Sequence, residues 1–115
     1  MNFLVVALLI AVLDTPWLAL NMSRFQTVFG TIQGGRTLEF RVLGAVPVYI
    51  ALAYLVSKAN SLTEAFLIGA ATYAVYDFTT LLAFKDYPLG MAIADTIWGG
   101  VLMAVTLWVL RKIDI

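Results

Sequence analysis

The sequence predicts an all-α, polytopic membrane protein: an antiparallel bundle of four transmembrane helices forming a single membrane domain over residues 1–115. Three observations lead there. Apolar residues make up 63% of the chain and charged residues only 12%, against about 25% charged in a soluble globular domain. The apolar residues gather into four runs. The links after the second and third runs are short, which forces antiparallel neighbours.

Each run can be measured against a hydrocarbon core about 30 Å thick, which a helix rising 1.5 Å per residue crosses in about 20 residues. The first, Phe3 to Met22, meets that length. With no basic segment before it and no small-residue cleavage site, it reads as a retained helix rather than a signal peptide. Residues 23–39 follow as an interfacial loop. Within it Phe25, Val28, Phe29 and Ile32 recur at helical spacing before Gly34 and Gly35, as in a short amphipathic turn lying on the membrane. An ordinary loop with scattered apolar residues accounts for the same pattern. The second run, Val42 to Ser57, is short, but Phe40 and Leu38 extend it while Arg41 snorkels to the interface, giving a span over about 40–57. The third and fourth, 65–84 and 89–110, are full length and are joined by Lys85, Asp86, Tyr87 and Pro88.

Four spans put both termini on one side, here named A, with B opposite. Arg24, Arg36, Arg41 and Lys85 fall on side B, while Lys58, Arg111, Lys112 and the terminal amine fall on side A. Four positive charges face four, so the positive-inside rule does not orient the chain.

Several function classes are disfavoured at once. The seven basic and seven acidic residues cancel, so no basic field favours nucleic acid. The absence of cysteine and histidine removes disulfides, thiolate chemistry, histidine-ligated haem and the usual zinc ligands. No cofactor and no catalytic residue is expected. No lysine lies inside a span, which argues against a retinal Schiff base.

What remains are residues that a membrane helix seldom carries. Asp14, Asp77 and Asp95 lie within spans, with no basic residue at comparable depth. An aspartate at a helix centre costs about 2.5–3.5 kcal/mol on insertion scales, so something must offset three of them. Counting residues to side B puts Asp14 about 12 Å deep, Asp77 about 10 Å and Asp95 about 9 Å. One shared level, reached on helices running in different directions, makes them a candidate polar or ion site. Arg24, Arg36, Arg41 and Lys85 just above it are candidate charge partners. Like charges close together in a poor dielectric cannot all ionise cheaply, so at least one carboxyl is expected to hold a proton.

Each aspartate belongs to a stripe of small and polar residues at helical spacing: Ala7, Ala11, Asp14, Trp17 and Asn21; Gly69, Tyr73, Asp77 and Thr80; and Met91, Asp95, Trp98, Gly99 and Thr106. These stripes should face one another, and Ala65 with Gly69 and Gly100 with Ala104 give small-xxx-small spacing for close helix packing. Asp14-Thr15-Pro16-Trp17 and Asp95-Thr96-Ile97-Trp98 echo each other, each with a tryptophan on its aspartate's face. Trp17 and Trp98 are therefore expected to donate to carboxylates on neighbouring helices. Interfacial anchoring is the competing reading. Pro16 and Pro47 free the carbonyls of Val12 and Leu43.

Tyr76-Asp77-Phe78-Thr79-Thr80-Leu81, Phe84-Lys85-Asp86-Tyr87-Pro88-Leu89 and Asp95-Thr96-Ile97-Trp98-Gly99 together resemble the signature of the small predicted membrane proteins called domain of unknown function 2177. Leu13-Asp14-Thr15-Pro16-Trp17-Leu18 is similar to that family's first-helix motif. The first loop and second helix fit by hydropathy alone, and Thr80 stands where the family typically has asparagine. The resemblance implies a bacterial or large-DNA-virus membrane protein with no assigned activity, and adds Tyr76 to the candidate site.

Three functions fit. One is binding or relay of a proton or cation at the carboxylates. Another is a structural scaffold or viral membrane or virion assembly component, in which the aspartates only lock helices together. The third is a lipid-modifying membrane enzyme. The expected partners are the lipid bilayer and either a second copy of the chain or other membrane or capsid proteins, with no nucleic acid.

Overall fold

Four helices form, and no strand occurs among the described residues of the computed structural model, which are 2–32, 42–84 and 87–113. They are α1 (Phe3–Ile32), α2 (Val42–Ser57), α3 (Leu62–Ala83) and α4 (Leu89–Ile113). The segment Phe3–Arg24 of α1, all of α3 and all of α4 are long and apolar enough to cross a membrane; α2 is apolar and shorter.

The helix ends follow local chemistry. Asn2 caps α1, its Oδ1 accepting from the backbone N–H groups of Leu4 and Val5 at 3.0 and 3.2 Å. Helix α1 does not stop at Met22. It runs to Ile32, because nothing between Ser23 and Ile32 breaks a helix except the single Gly30, and the expected interfacial turn is continuous with the span. Gly34, Gly35 and the rest of the expected loop lie outside the described residues, as do Arg36, Arg41 and Lys85. Helix α3 begins at Leu62, three residues before the expected Ala65, since Ser61 accepts from the N–H of Glu64 at 3.1 Å in the Ser-x-x-Glu pattern of a capping box. Helix α4 continues past Leu110 to Ile113, with Arg111 and Lys112 in its last turn, where cations suit the helix dipole.

Helices α3 and α4 pack most closely. At their crossing the backbones nearly touch: a Cβ on Gly69 would collide with the carbonyl oxygen of Gly99 and come within 2.6 Å of the Met103 side chain. Only glycine allows this approach. Helix α1 packs on α2 and α4, whereas α2 barely meets α3.

The apolar core occupies one half of the assembly. Val6 and Ile10 of α1, Leu52 and Val56 of α2, Ala65 of α3, and Met103, Leu107 and Leu110 of α4 are buried together. Contacts place the start of α1 beside the end of α2, where Phe3 meets Tyr54 at 6.4 Å between ring centroids, and the end of α4 beside the α2–α3 link, where Arg111 donates to the carbonyl of Asn60 at 2.9 Å. This is the A end. At the B end a smaller cluster of Tyr87, Met91 and Ala92 packs with Leu18 and Leu81. Leu4, Leu8, Leu20, Val75 and Leu82 point outward and exposed, as residues bathed in lipid would.

Candidate functional site

Between the two apolar clusters lies a chain of polar side chains that touches every helix. Its centre is the echoed Asp-Thr-x-Trp motif. Trp98 Nε1 of α4 donates to Asp14 Oδ1 of α1 at 2.7 Å, and Trp17 Nε1 of α1 donates to Asp95 Oδ1 of α4 at 3.1 Å. The exchange is reciprocal for a simple reason. Each tryptophan follows its aspartate by three residues, about 4.5 Å along the helix, and on antiparallel helices those steps run in opposite directions. Trp17 is thereby carried level with Asp95, and Trp98 level with Asp14. The two indoles stack between the carboxylates, with centroids 5.2 Å apart and planes inclined by 6°. The echo ends at the threonines: Thr15 donates to the carbonyl of Ala11 at 2.8 Å, while the buried Thr96 hydroxyl has no partner.

The chain continues outward from both aspartates. The Tyr49 hydroxyl of α2 donates to Asp14 Oδ2 at 2.8 Å, so each Asp14 oxygen has a donor. On the other side Asp95 lies within hydrogen-bonding reach of the Asp77 carboxyl of α3. Asp77 Oδ1 accepts from the Tyr87 hydroxyl at 2.6 Å, and its Oδ2 is buried with no donor. Asp14 and Asp77 are both buried.

The expected site residues thus separate into groups. Asp95 is central: it meets Asp77 directly and faces Asp14 across the stacked indoles. Tyr73 stands among Asp14, Asp77, Asp95 and Tyr49, with its ring against Gly99, where a Cβ would strike it. Tyr76 is exposed, and Thr80 donates to the Tyr76 carbonyl at 2.9 Å, so neither hydroxyl is bonded to a carboxylate. Of the candidate charge partners, Arg24 sits beside Gly90 at the start of α4 and near Tyr87. The groups acting on Asp14 and Asp95 are tyrosine, tryptophan and other carboxylates; among the described residues no basic side chain joins them. Nor do the described residues contain a group of three ligands placed to hold a metal ion.

Sequence reasoning missed Tyr49 and Tyr87. Tyr49 carried a signal: seven residues after Val42, it lies about 10 Å from the B end, the level of the aspartates. Tyr87 carried none, because the path of a short link depends on the helices it joins.

Where α2 diverges from α3, a groove of about 700 Å³ opens toward the chain's surroundings. Its walls are mostly apolar, and its inner end carries Tyr49, Tyr73, Asp77 and Asp95; Asp14 is not on it.

The family profile described as a predicted membrane protein, DUF2177, matches residues 1–110. The chain belongs to this family. The match runs through all four helices and so includes the first loop and α2, where the sequence resemblance rested on hydropathy alone. No curated protein and no solved structure matches the chain. The DUF2177 family is one of predicted membrane proteins without a stated activity, so the function of this member has to be argued from its own residues.

Proposed function

We propose that this DUF2177 protein is a multi-pass membrane protein whose Asp77–Asp95 carboxyl pair binds a proton in the B half of the bilayer. The observation that carries the reading is the contact between the two carboxyls together with the buried Asp77 oxygen that lacks a donor. Two unit charges 4 Å apart repel by about 4 kcal/mol at an effective dielectric of 20. A single proton turns that repulsion into a hydrogen bond and satisfies the orphan oxygen. Trp17 and Tyr87, each donating to one member of the pair, fix the geometry in which the proton is held.

Infrared difference spectra of the protein in lipid should contain a protonated-carboxyl band at neutral pH. Asp77→Asn and Asp95→Asn should each abolish it, and Asp14→Asn should leave it in place. The reading fails if the wild-type band is missing at neutral pH, or if it survives both substitutions.

Membrane placement rests on the apolar helices and on the A end. There Lys58 lies 5.0 Å over the Tyr54 ring and Lys112 lies 5.6 Å over Trp108, the aromatic and snorkelling residues that mark a bilayer interface. Cysteines placed at Asn2 and Asn60 should react with an impermeant thiol reagent from one face of sealed vesicles, and one at Phe84 from the other. Labelling of positions 2 and 60 from opposite faces would overturn this topology.

A scaffold role is the second reading, favoured by Asp14. With both its oxygens occupied by donors from α2 and α4, this carboxylate has the arrangement of a helix lock rather than of an exchanging site.

A further inference from the structure

We propose that the groove between α2 and α3 is a lateral binding site for a single-chain amphiphile with a primary-amine headgroup, its ammonium seated on the Asp77–Asp95 pair. Several features point to such an occupant. The groove's volume of about 700 Å³ falls within the roughly 300–1,000 Å³ of small-molecule sites. Its walls, including Leu18, Val48, Leu52 and Leu55, are mostly apolar, which suits an alkyl chain arriving from the lipid.

The inner end specifies the headgroup. Asp77 is 4% exposed and has an oxygen without a donor, so the site requires a hydrogen-bond donor. Thr72 and Thr80 cannot readily supply one, since their hydroxyls already donate to the carbonyls of Ile68 and Tyr76 at 2.7 and 2.9 Å. Among the described residues no basic side chain neutralises Asp95. A donor that is also a cation answers both needs, and an ammonium supplies three N–H groups on a compact charge. Phosphate-bearing headgroups would bring negative charge to a carboxylate site and are disfavoured by the same argument. The inference rests on the proton-binding reading to this extent: proton and ammonium occupy the same place, and one displaces the other.

The test uses the full chain in phosphatidylcholine nanodiscs with hexadecylamine carrying a diazirine in its chain, compared with the matching hexadecanol probe. After photolysis, mass spectrometry should find the amine attached at Val48, Leu52 or Leu55, about tenfold above the alcohol, the factor expected of one charge-assisted hydrogen bond. Asp77→Asn should bring the amine down to the level of the alcohol. Ala51→Phe, at an exposed position on the groove wall, should block both probes without touching the carboxyls, and it stands in if the Asp77 variant fails to fold. Amine labelling should also fall at low pH, as protons refill the pair. Equal labelling by amine and alcohol, or labelling spread evenly over all outward faces, would overturn the inference. A protonated-carboxyl infrared band without groove labelling would overturn it while leaving the proton-binding reading intact; groove labelling without the band would do the reverse.

Discussion

Gly69→Ala should destabilise the protein by about 3 kcal/mol, at the upper end of what overpacking costs, whereas Gly90→Ala should be neutral or mildly stabilising. The two substitutions add the same methyl group to helices, and what it meets decides the outcome. At Gly69 it meets the backbone carbonyl of Gly99, which cannot rotate aside, so α3 and α4 must move apart. At Gly90 the nearest atom is the far end of Arg24, 4.0 Å away, and alanine brings a better helix propensity than glycine, reduced here because the position lies in the first turn of α4. Gly100 should fall between them, because its added methyl would meet the Phe66 ring at 2.7–2.9 Å and a side chain can swing. Separation at Gly69 should also be felt at the site, since Asp77 lies two turns further along the same α3–α4 contact. Unfolding in mixed micelles, followed by helical circular dichroism, measures the series. A Gly69→Ala protein as stable as wild type would remove the close crossing from the account.

The helices and their order are legible in the sequence because lipid imposes one requirement on a spanning segment, a sufficient run of apolar residues in a backbone that satisfies its own hydrogen bonds. The same requirement hides the rest. Hydropathy does not distinguish a leucine facing lipid from one facing another helix, so Leu82 and Leu107 read alike although one is exposed and the other buried. The divergence of α2 from α3, and the groove it opens, therefore left no trace in the pattern. Depth, by contrast, is a matter of counting, and the shared level of Asp14, Asp77 and Asp95 follows from arithmetic on three helices. The same arithmetic extended to hydroxyls reaches Tyr49. It does not reach the division of labour among the carboxylates, which depends on where each donor points: Asp14 receives two and Asp77 one, with an oxygen to spare.

That division predicts substitutions of opposite sign. Asp14→Ala should cost about 3–4 kcal/mol, because it strands the Tyr49 hydroxyl and the Trp98 N–H together, each at about 1–3 kcal/mol. Asp14→Asn should cost roughly half as much, keeping one acceptor oxygen but turning an amide N–H₂ toward a donor. At Asp95 the asparagine substitution should be neutral or stabilising. The amide oxygen can still accept from Trp17, and its N–H₂ can donate to the orphan Asp77 oxygen in place of the proton that the carboxyl pair binds. Tyr49→Phe in the Asp14→Ala background should recover about 1–2 kcal/mol, since removing both partners leaves nothing unsatisfied. The stacked Trp17–Trp98 pair provides a local readout, because parallel indoles at this distance couple excitonically in the ultraviolet. The couplet should weaken in Asp14→Ala and persist in Asp95→Asn. If Asp95→Asn instead destabilises as much as Asp14→Asn, the two carboxylates do the same structural work, an amide does not replace a shared proton at Asp95, and the scaffold reading takes precedence over proton binding.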